Sequence, residues 1–345
     1  MTMDKSAAID EPEDDGIEQV PETEASSEQD LGKDIPEASE SEEEDEVESG
    51  AEINATAPFV RNPFIKVAEA AKTRPIITKP TEPLLDDEPY MQAAIRCHVG
   101  ARRERNEDSS FSFVSEVGGH FKMQPFGLFI VADGMGGHAD GHIASKVASR
   151  TAAHHIINRL YLPLLEDNEK VMQTPIQEVL ETAVQRANKA VYDYDPEMDS
   201  GTTLTIALVL GRRLHVAHVG DSRLYMYAND KLEPVTSDHS LVQRLQDVGQ
   251  LTAEEATFYR YGHILLRAVG QSEEVDVDTY MRLLPKSGIL MLCSDGVSGF
   301  ISDAEIEEIL KQDASVEIIA DGVFAAAMSV GGFDNITAVV VEFKL

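Results

Sequence analysis

Short apolar segments separated by turn residues recur from about Met91 to the end of the chain, and their lengths predict β-strands. Strands are predicted at residues 93–99, 109–114, 126–132, 203–210, 213–219, 223–227, 275–283, 289–293 and 336–343. The strands between 203 and 227 follow one another closely, with Gly211 and Gly220 at the turns. Such close spacing is typical of antiparallel hairpins.

Apolar residues at three- and four-residue intervals predict helices between these strands. Helices are predicted at residues 143–160, 175–192, 303–312 and 316–330, with shorter ones on a polar segment at 239–260. The helix at 175–192 is expected to have Thr174 as its N-cap, with Gln177 completing a capping box. Because runs of strands alternate with pairs of helices, the order predicts an α+β fold, a four-layer αββα sandwich formed by one domain at residues 91–345.

The first 90 residues follow neither pattern. Residues 1–60 carry 21 Asp and Glu against two Lys and Arg, so −19 of the formal charge of −33 lies there and −14 in the rest. A segment this acidic is expected to be a disordered tail, either solvating or acting as a docking or metal-concentrating segment. Residues 61–90 contain five prolines and predict an extended linker with a short helix near 67–72.

Charge and cysteine content narrow the class of protein. An acidic surface argues against nucleic acid or an anionic membrane as a direct partner. Cys97 and Cys293 lie in apolar segments without metal-ligand spacing, so we interpret them as buried free thiols in a reducing compartment. The sequence has no basic-plus-apolar signal region and no apolar run of about 20 residues, so a cytoplasmic monomer without membrane contact is expected.

Acidic residues interrupt the apolar segments at one kind of position, the strand end. Asp133 ends FIVAD, Asp295 ends ILMLCSD, and Asp221 follows HVAHVG, with a glycine next to each. Asp108 and Asp334 stand just before predicted strands. A single Asp-Gly after a strand is usually a turn. Five such residues in one domain instead predict carboxylates that converge at one edge of the sheets.

Converging carboxylates cannot all stay ionised unless cations lie among them. Oxygen ligands without histidine or cysteine indicate a hard ion, Mg²⁺ or Mn²⁺, and shared carboxylates suit two ions about 4 Å apart, an arrangement used to hydrolyse phosphate esters. Arg103, five residues before Asp108, is the candidate phosphate clamp. Arg102 and Arg105 are alternatives, and a plain surface ion pair is the simpler interpretation of any of the three.

Eight short motifs follow one another along the predicted domain. They are RERNED (103–108), VADGMGGH (131–138), SGTT (200–203), HVGDSR (218–223), SDHSL (237–241), LLRAVG (265–270), LCSDGV (292–297) and DNIT (334–337). In this order they resemble the motif set of the metal-dependent protein phosphatase family, the PPM or PP2C-type serine/threonine phosphatases, in their bacterial form. The resemblance covers about residues 92–343. It implies a sandwich of two antiparallel sheets flanked by helices, metals at one end, and a variable flap at 239–260.

The resemblance also implies the metal ligands. Asp133 is expected to bridge two ions. Asp295 and Asp334 complete one of the two sites. The Gly134 carbonyl, with Glu107 through water, serves the other.

Further roles follow from the same resemblance. Asp108 supports the metal ligands from a position next to them. Asp221 with Asp295 holds a third ion. Two to three Mn²⁺ or Mg²⁺ ions are therefore implied. Arg103 clamps the substrate phosphate, so Arg103, Asp133 and Asp295 are the expected catalytic residues.

The expected reaction is hydrolysis of phosphoserine or phosphothreonine by a water that bridges the metals. The substrates would be phosphorylated proteins, among them a serine/threonine kinase or its targets. Some family members carry a histidine after this Asp-Gly as general acid, whereas Met135 stands there in this chain. Either water on a metal or a nearby histidine, His138 or His142, would then protonate the leaving oxygen.

Other classes of function fit the sequence less well. A catalytically weak, PP2C-like interaction or regulatory protein would be expected to lack a metal aspartate, and none is missing. A cysteine phosphatase would need a phosphate loop after Cys293. A calcium loop starting at Asp193 is broken by Pro196, and a nucleotide binder would need Gly-Lys-Ser/Thr after the glycines at 134–141.

Overall fold

The computed structural model describes residues 89–115, 124–136, 140–166, 175–194, 200–256, 259–261 and 264–345. The strands are β1 Tyr90–His98, β2 Asp108–Ser115, β3 Phe126–Gly136, β4 Ser200–Thr202, β5 Leu204–Leu210, β6 Arg213–Val219, β7 Arg223–Ala228, β8 Lys231–Pro234, β9 Asp278–Leu283, β10 Ser287–Cys293 and β11 Ile336–Lys344. The helices are α1 Gly141–Ile156, α2 Leu162–Leu165, α3 Ile176–Tyr192, α4 Leu241–Asp247, α5 Ala253–Ala256, α6 Asp295–Ser298, α7 Asp303–Leu310 and α8 Val316–Ser329.

The strands form two antiparallel sheets. Sheet 1 has the order β1-β11-β10-β7-β8, and sheet 2 has the order β2-β3-β5-β6-β9, with β4 paired to the end of β3. Neighbours such as β5 and β6 are hairpins with a glycine in the turn, as the spacing predicts. The predicted α+β class is therefore confirmed.

Strand β3 is apolar and buried on both of its faces. Leu128, Ile130 and Ala132 pack with residues of α1 and α3, whereas Phe129 and Val131 pack with residues of sheet 1. Side chains alternate across a strand, so a continuous apolar run indicates a strand that is covered on both sides. Sheet 2 is thus an inner layer of the fold.

Sheet 1 is the second inner layer. On its outer face, Met291 and Val340 form a cluster with Ile306 of α7 and Val323 of α8. A wholly apolar cluster fills the space between the two sheets. The layers are therefore α1 with α3, sheet 2, sheet 1, and α7 with α8, which confirms the predicted four-layer αββα sandwich.

Three short elements are not predicted by the sequence pattern. β4, β8 and α6 have only three or four residues each, SGT, KLEP and DGVS. Elements of this length do not complete a periodic pattern, and the proline that ends β8 argues against a strand. Tertiary pairing, such as that of β4 with β3, determines them instead.

The helix predicted at 143–160 is interrupted by a π-helical turn, Ile157–Tyr161, which leads into α2. Pro163 lies in the first turn of α2 and has no N–H to donate to the preceding turn, so a regular α-helix cannot continue through it. Within the π-helical turn, Tyr161 packs edge-on against Phe113 with 4.7 Å between the ring centroids.

Several predictions lie outside the described residues and stay predictions. They concern the tail at 1–60, most of the linker at 61–90 with its short helix near 67–72, and His138. The predicted capping box of Thr174 and Gln177 is wrong, because the N-cap of α3 is Pro175 and the helix begins at Ile176, one residue later than predicted. The predicted domain bounds also stay predictions, and the first strand, β1, begins at Tyr90. In the part of the chain that is described, no helix is long and apolar enough to cross a membrane.

The two cysteines are both free, but they differ in exposure. Cys293 is buried, as predicted. Cys97 is exposed, so the prediction of a buried thiol is wrong at this position. The reason is its place near the end of β1, which is an edge strand of sheet 1 and has a neighbouring strand on one side only.

Candidate active site

Five predicted carboxylates lie at one end of the sandwich, where strands of both sheets begin or end. Asp108 is the first residue of β2 and is paired in register with Asp133 of β3. Asp221 follows β6, Asp295 follows β10, and Asp334 precedes β11. In antiparallel sheets the end of one strand lies beside the start of the next. The predicted convergence is thus a consequence of the topology.

Asp133 is fixed through its backbone. Its N–H donates to the Thr203 hydroxyl over 2.8 Å, and its carbonyl accepts from the Thr203 N–H at 2.8 Å and from the Thr202 hydroxyl at 2.9 Å. Its carboxyl group lies close to that of Asp295, and each group shifts the pKa of the other. Two carboxylates placed in this way repel each other unless a proton or a cation lies between them.

One buried asparagine joins the loop before β11 to the turn between β1 and β2. The Asn335 amide donates to the carbonyls of Val99 and Arg105 at 3.0 and 2.9 Å, and its oxygen accepts from the Glu107 N–H at 2.7 Å. The Gly134 N–H in turn donates to the Glu107 carbonyl at 3.2 Å. The turn that carries Glu107 is therefore bound to both sheets.

Two glycines allow these loops to approach one another. A Cβ atom on Gly134 would lie 2.1 Å from the Gly141 carbonyl oxygen and 2.6 Å from that of Glu107. A Cβ atom on Gly296 would lie 1.9 Å from the Asn335 carbonyl oxygen. Backbone occupies the space that a side chain would need. Gly134 is thus at the predicted site, and its role as a carbonyl ligand stays a prediction.

Burial and mutual repulsion raise the pKa values of four of these carboxyl groups. Burial raises the pKa of Asp108 and of Asp221 to about 7, and the charge of Asp295 adds to both shifts. The pKa of Asp133 is raised well above its ordinary value, first by burial and then by its acidic neighbours. Burial and the charge of Asp334 raise the pKa of Asp295. Acids that repel one another in this way favour bound cations.

Asp108 carries a buried oxygen without a hydrogen-bond partner. Its Oδ2 accepts from the Ser294 hydroxyl at 2.8 Å, whereas its Oδ1 is buried and has no partner in the described part of the chain. Buried polar atoms are nearly always paired. An unpaired carboxylate oxygen among acids, in a donor set made of oxygen alone, fits Mg²⁺ or Mn²⁺ with its bound waters.

Of the three candidate arginines, Arg103 reaches the carboxylates. Its Nη2 donates to Asp334 Oδ2 over 2.8 Å, and half of its side chain remains exposed. The Arg102 guanidinium instead lies 5.7 Å from the centroid of the Phe333 ring, and Arg105 contacts a histidine of α1. Arg103 is therefore the arginine placed to bind a phosphate at this end of the sandwich.

The acidic side chains contact one another or Arg103 and are not arranged around a common position where an ion could bind. Among the described residues, no three Asp, Glu, His or Cys side chains are already arranged to hold an ion. Asp334 accepts a hydrogen bond from Arg103, and Asp133 lies close to Asp295. Ion binding would therefore require some of these side chains to turn toward the ion.

Several residues that hold the site were not singled out from the sequence. The Thr203 and Ser222 hydroxyls are 2.7 Å apart, and His239 Nδ1 accepts from the Gly220 N–H, next to Asp221, at 3.2 Å. Thr203, Ser222 and His239 belong to the motifs quoted above. Their signal in the sequence is a polar residue beside an acidic strand end, where burial makes a hydrogen-bonding role expected.

Three residues bear on the proton transfers. Met135 pairs with Gly201 of β4 and offers no proton. His142 Nδ1 lies 3.3 Å from Arg105 Nη1. Burial raises the pKa of Cys293 to about 12, so its thiolate is scarce near neutral pH. This argues against the cysteine-phosphatase alternative and leaves the choice of general acid open between water and histidine.

The fold and this geometry can be compared with known proteins. The family model described as protein phosphatase 2C matches residues 103–327, which is more than half of the chain. The chain belongs to the protein phosphatase 2C family. The matched residues include Arg103 and the acids up to Asp295, whereas Asp334 lies beyond them.

Individual phosphatase 2C relatives agree with this assignment. The serine/threonine phosphatase stp of Listeria innocua is 39% identical over 259 residues, which are 74% of this chain and 97% of that protein. The crystal structure of PstP/Ppp from Mycobacterium tuberculosis has a TM-score of 0.63 at 33% identity and covers 74% of this chain and 99% of its own.

A further structure is that of the catalytic domain of PstP in complex with two manganese ions. It has a TM-score of 0.61 at 32% identity and covers 75% of this chain and 100% of its own. Together the matches confirm the predicted serine/threonine protein phosphatase and its fold. The roles of the single site residues stay predictions.

Proposed function

We propose that the protein hydrolyses phosphoserine and phosphothreonine in other proteins by means of divalent metal ions held at the end of the sandwich. The observation that carries this proposal is the convergence of carboxyl groups with raised pKa values beside Arg103. The similarity to PstP, whose catalytic domain was solved with two manganese ions, supports Mn²⁺ or Mg²⁺. Phosphorylated proteins, including a kinase or its targets, are the proposed substrates.

The proposed ligands are those that the family resemblance implies. Asp133 would be shared between two ions. Asp295 and Asp334 would hold the first ion, and the Gly134 carbonyl with Glu107, through water, the second. Asp221 with Asp295 would hold a third ion. When bound, such ions would polarise the phosphoryl oxygens and lower the pKa of a water toward neutrality, so that no protein nucleophile would be needed.

The protein's own groups bind the phosphate and balance protons. Arg103 presents its guanidinium at the open side of the site, and a substrate phosphate would take the place of Asp334 as its partner. Asp108, bonded to Ser294, would accept from water on its unpaired oxygen. The leaving serine oxygen needs a proton, which we assign to water or to His142.

Activity on a phosphoserine peptide tests the proposal directly. The purified full-length chain should release phosphate in the presence of Mn²⁺ and stop when EDTA is added, and renewed Mn²⁺ should restore the rate. Turnover that persists in EDTA would contradict the mechanism. Absence of turnover at any concentration of Mn²⁺ or Mg²⁺ would support the alternative of a catalytically weak regulatory protein.

The phosphate clamp can be tested separately. Replacing Arg103 with Gln should lower kcat/KM by about 10- to 100-fold, because a charge-assisted bidentate contact to phosphate is lost. Arg96 provides a matched control, since its ion pair with Asp321 lies on the surface of sheet 1 and α8. Arg96→Gln should change kcat/KM by less than about twofold. Equal effects of the two substitutions would refute the role of Arg103.

A further inference from the structure

A stacked pair of phenylalanines lies exposed beside the proposed active site. Phe300 and Phe333 stack with ring centroids 5.8 Å apart and ring planes 30° apart. Despite this contact they remain 40% and 49% exposed. The Arg102 guanidinium lies 5.7 Å from the centroid of the Phe333 ring. These three residues are called the aromatic ledge below.

Two residues of the aromatic ledge are the direct chain neighbours of Arg103 and of its partner Asp334. Arg102 contacts Phe333, and the next residue of each loop, Arg103 and Asp334, form the ion pair of the site. Consecutive Cα atoms are about 3.8 Å apart. The aromatic surface therefore begins within one residue's length of the group that would hold the phosphate.

Phe300, the other phenylalanine of the ledge, is also held close to the acidic residues of the site. Phe300 follows α6, whose first residue is Asp295, and its N–H donates to the Val297 carbonyl at 3.1 Å. The loop that carries Phe333 is bound to the turn before Arg102 by the Ala101 N–H, which donates to the Gly332 carbonyl at 2.7 Å. The ledge is thus fixed relative to the site.

Exposed aromatic surface of this kind is unusual enough to require an explanation. Single exposed apolar side chains are common on proteins. Phe300 and Phe333 instead form one contiguous apolar surface with charged residues beside it, and exposed patches of this kind mark binding sites. A bound side chain could pack against the exposed edges of the two rings and gain aromatic contact there.

We propose that the aromatic ledge binds the substrate peptide beside the phosphorylated residue and selects an aromatic or large aliphatic side chain there. An extended peptide advances about 3.4 Å per residue. With the phosphate at Arg103, a residue one or two positions from the phosphoserine would reach the ledge. This inference rests on the proposed phosphatase function and names the substrate class that the same site prefers.

Two phosphoserine peptides that differ at flanking positions test this proposal. One carries Phe within two residues of the phosphoserine on each side, and the other carries Gly at the same positions. The ratio of their kcat/KM values is measured for the parent chain, for Phe300→Ala and for the Phe300→Ala, Phe333→Ala double variant. A general loss of activity affects both peptides alike and cancels in the ratio.

The expected ratio is about 10 for the parent and about 2 or less for the double variant, from the strength of aromatic contacts. The difference should lie mainly in KM, because the ledge binds the peptide away from the reacting atoms. Leu283→Ala is the matched control. Leu283 is 70% exposed and lies at the far end of β9, opposite Arg213 in the register. Its ratio should equal that of the parent.

Two outcomes would overturn the proposal: a ratio near 1 in the parent, or a parent-like ratio in the double variant. Turnover of p-nitrophenyl phosphate by the parent separates these outcomes from failure of the proposed function. If the parent hydrolyses this small substrate but does not distinguish the peptides, the ledge proposal alone is wrong. If it hydrolyses neither kind of substrate, the proposed function is wrong.

Discussion

The interior of the sandwich and its acidic end lie on the same strands but differ in the kind of side chain that they bury. On the face of β3 that meets sheet 1, the alternating positions are Phe129, Val131 and then Asp133. The first two belong to a wholly apolar cluster between the sheets, whereas the third is a carboxyl group whose pKa is raised by burial. Burial of the first two residues therefore stabilises the fold, whereas burial of Asp133 at the next position on the same face is unfavourable without a cation.

This difference shows where the fold is used for stability and where it is used for chemistry. Burying apolar side chains stabilises the folded state, and burying ionised carboxylates opposes it. Sites that break the folding pattern are expected to be functional. The two regions should therefore respond in opposite ways to substitution, which leads to the following predictions.

The largest effect is expected from Asp295→Asn. Loss of a charged ligand should lower kcat/KM for a phosphoserine peptide by about 100-fold or more. The melting temperature in EDTA should be unchanged or higher, because repulsion among the remaining carboxylates is relieved. A fall in melting temperature with retained activity would show that Asp295 belongs to the structural interior instead.

The converse is expected for Leu290→Ala in the interior. Leu290 is fully buried between the sheets, so the substitution should lower the free energy of unfolding by about 2–5 kcal/mol. Urea denaturation measures this change, and activity per folded molecule should be close to that of the parent. Ile318→Ala, at an exposed position of α8, is the control and should cost less than about 0.5 kcal/mol. A loss of activity per folded molecule in Leu290→Ala would contradict this division between an interior used for stability and an end used for chemistry.

A smaller effect is expected from pH. The pKa values of Asp108 and Asp221 are about 7 in the folded chain and near 3.8 ordinarily, so between pH 4 and 7 the folded state binds more protons than the unfolded state. Their contribution to stability is complete below about pH 4 and is lost as pH rises through 7, by on the order of a few kcal/mol.

Melting curves in EDTA between pH 5 and 8 measure this contribution. The decrease with rising pH should be weaker in Asp108→Asn and unchanged in Leu290→Ala, because Leu290 is an apolar residue without a titratable group. Added Mn²⁺ should restore stability at pH 8. An identical pH dependence in Asp108→Asn and the parent would contradict the assignment of the raised pKa.

The smallest effect is expected at the junction of the two regions. Cys293 ends β10 and is fully buried two residues before Asp295. Cys293→Ser should lower the free energy of unfolding by about 1–3 kcal/mol, because a hydroxyl replaces a thiol in an apolar site. Activity should stay within about twofold of the parent. A loss of several orders of magnitude would indicate thiol chemistry.

The sequence predicted the layers and the convergence of the acidic residues well, for a physical reason. Apolar strands buried on both faces, such as β3, have a strong pattern, and acids at their ends contrast with it. The pattern was silent on β4 and on the π-helical turn, where pairing and Pro163 decide the structure. It also misjudged the exposure of Cys97, because local composition does not reveal which strand lies at an edge.

The hydrogen bonds that support the site could not be predicted from the sequence, for a related reason. Asn335 joins Val99, Arg105 and Glu107, which lie more than 200 positions away along the chain. Such contacts depend on how the two sheets meet. Asn335 belongs to the last of the quoted motifs, but its role and its partners could be named only from the structure.

The most direct test of the central claim is a calorimetric titration of the full chain and of Asp133→Asn with Mn²⁺. Weak binding by acids elsewhere is common to both proteins and cancels in the comparison. The parent is predicted to bind at least two Mn²⁺ ions that Asp133→Asn binds about tenfold more weakly or not at all, with turnover of a phosphoserine peptide lost in parallel. Identical Mn²⁺ binding by the two proteins would contradict the claim that this end of the sandwich is a metal centre.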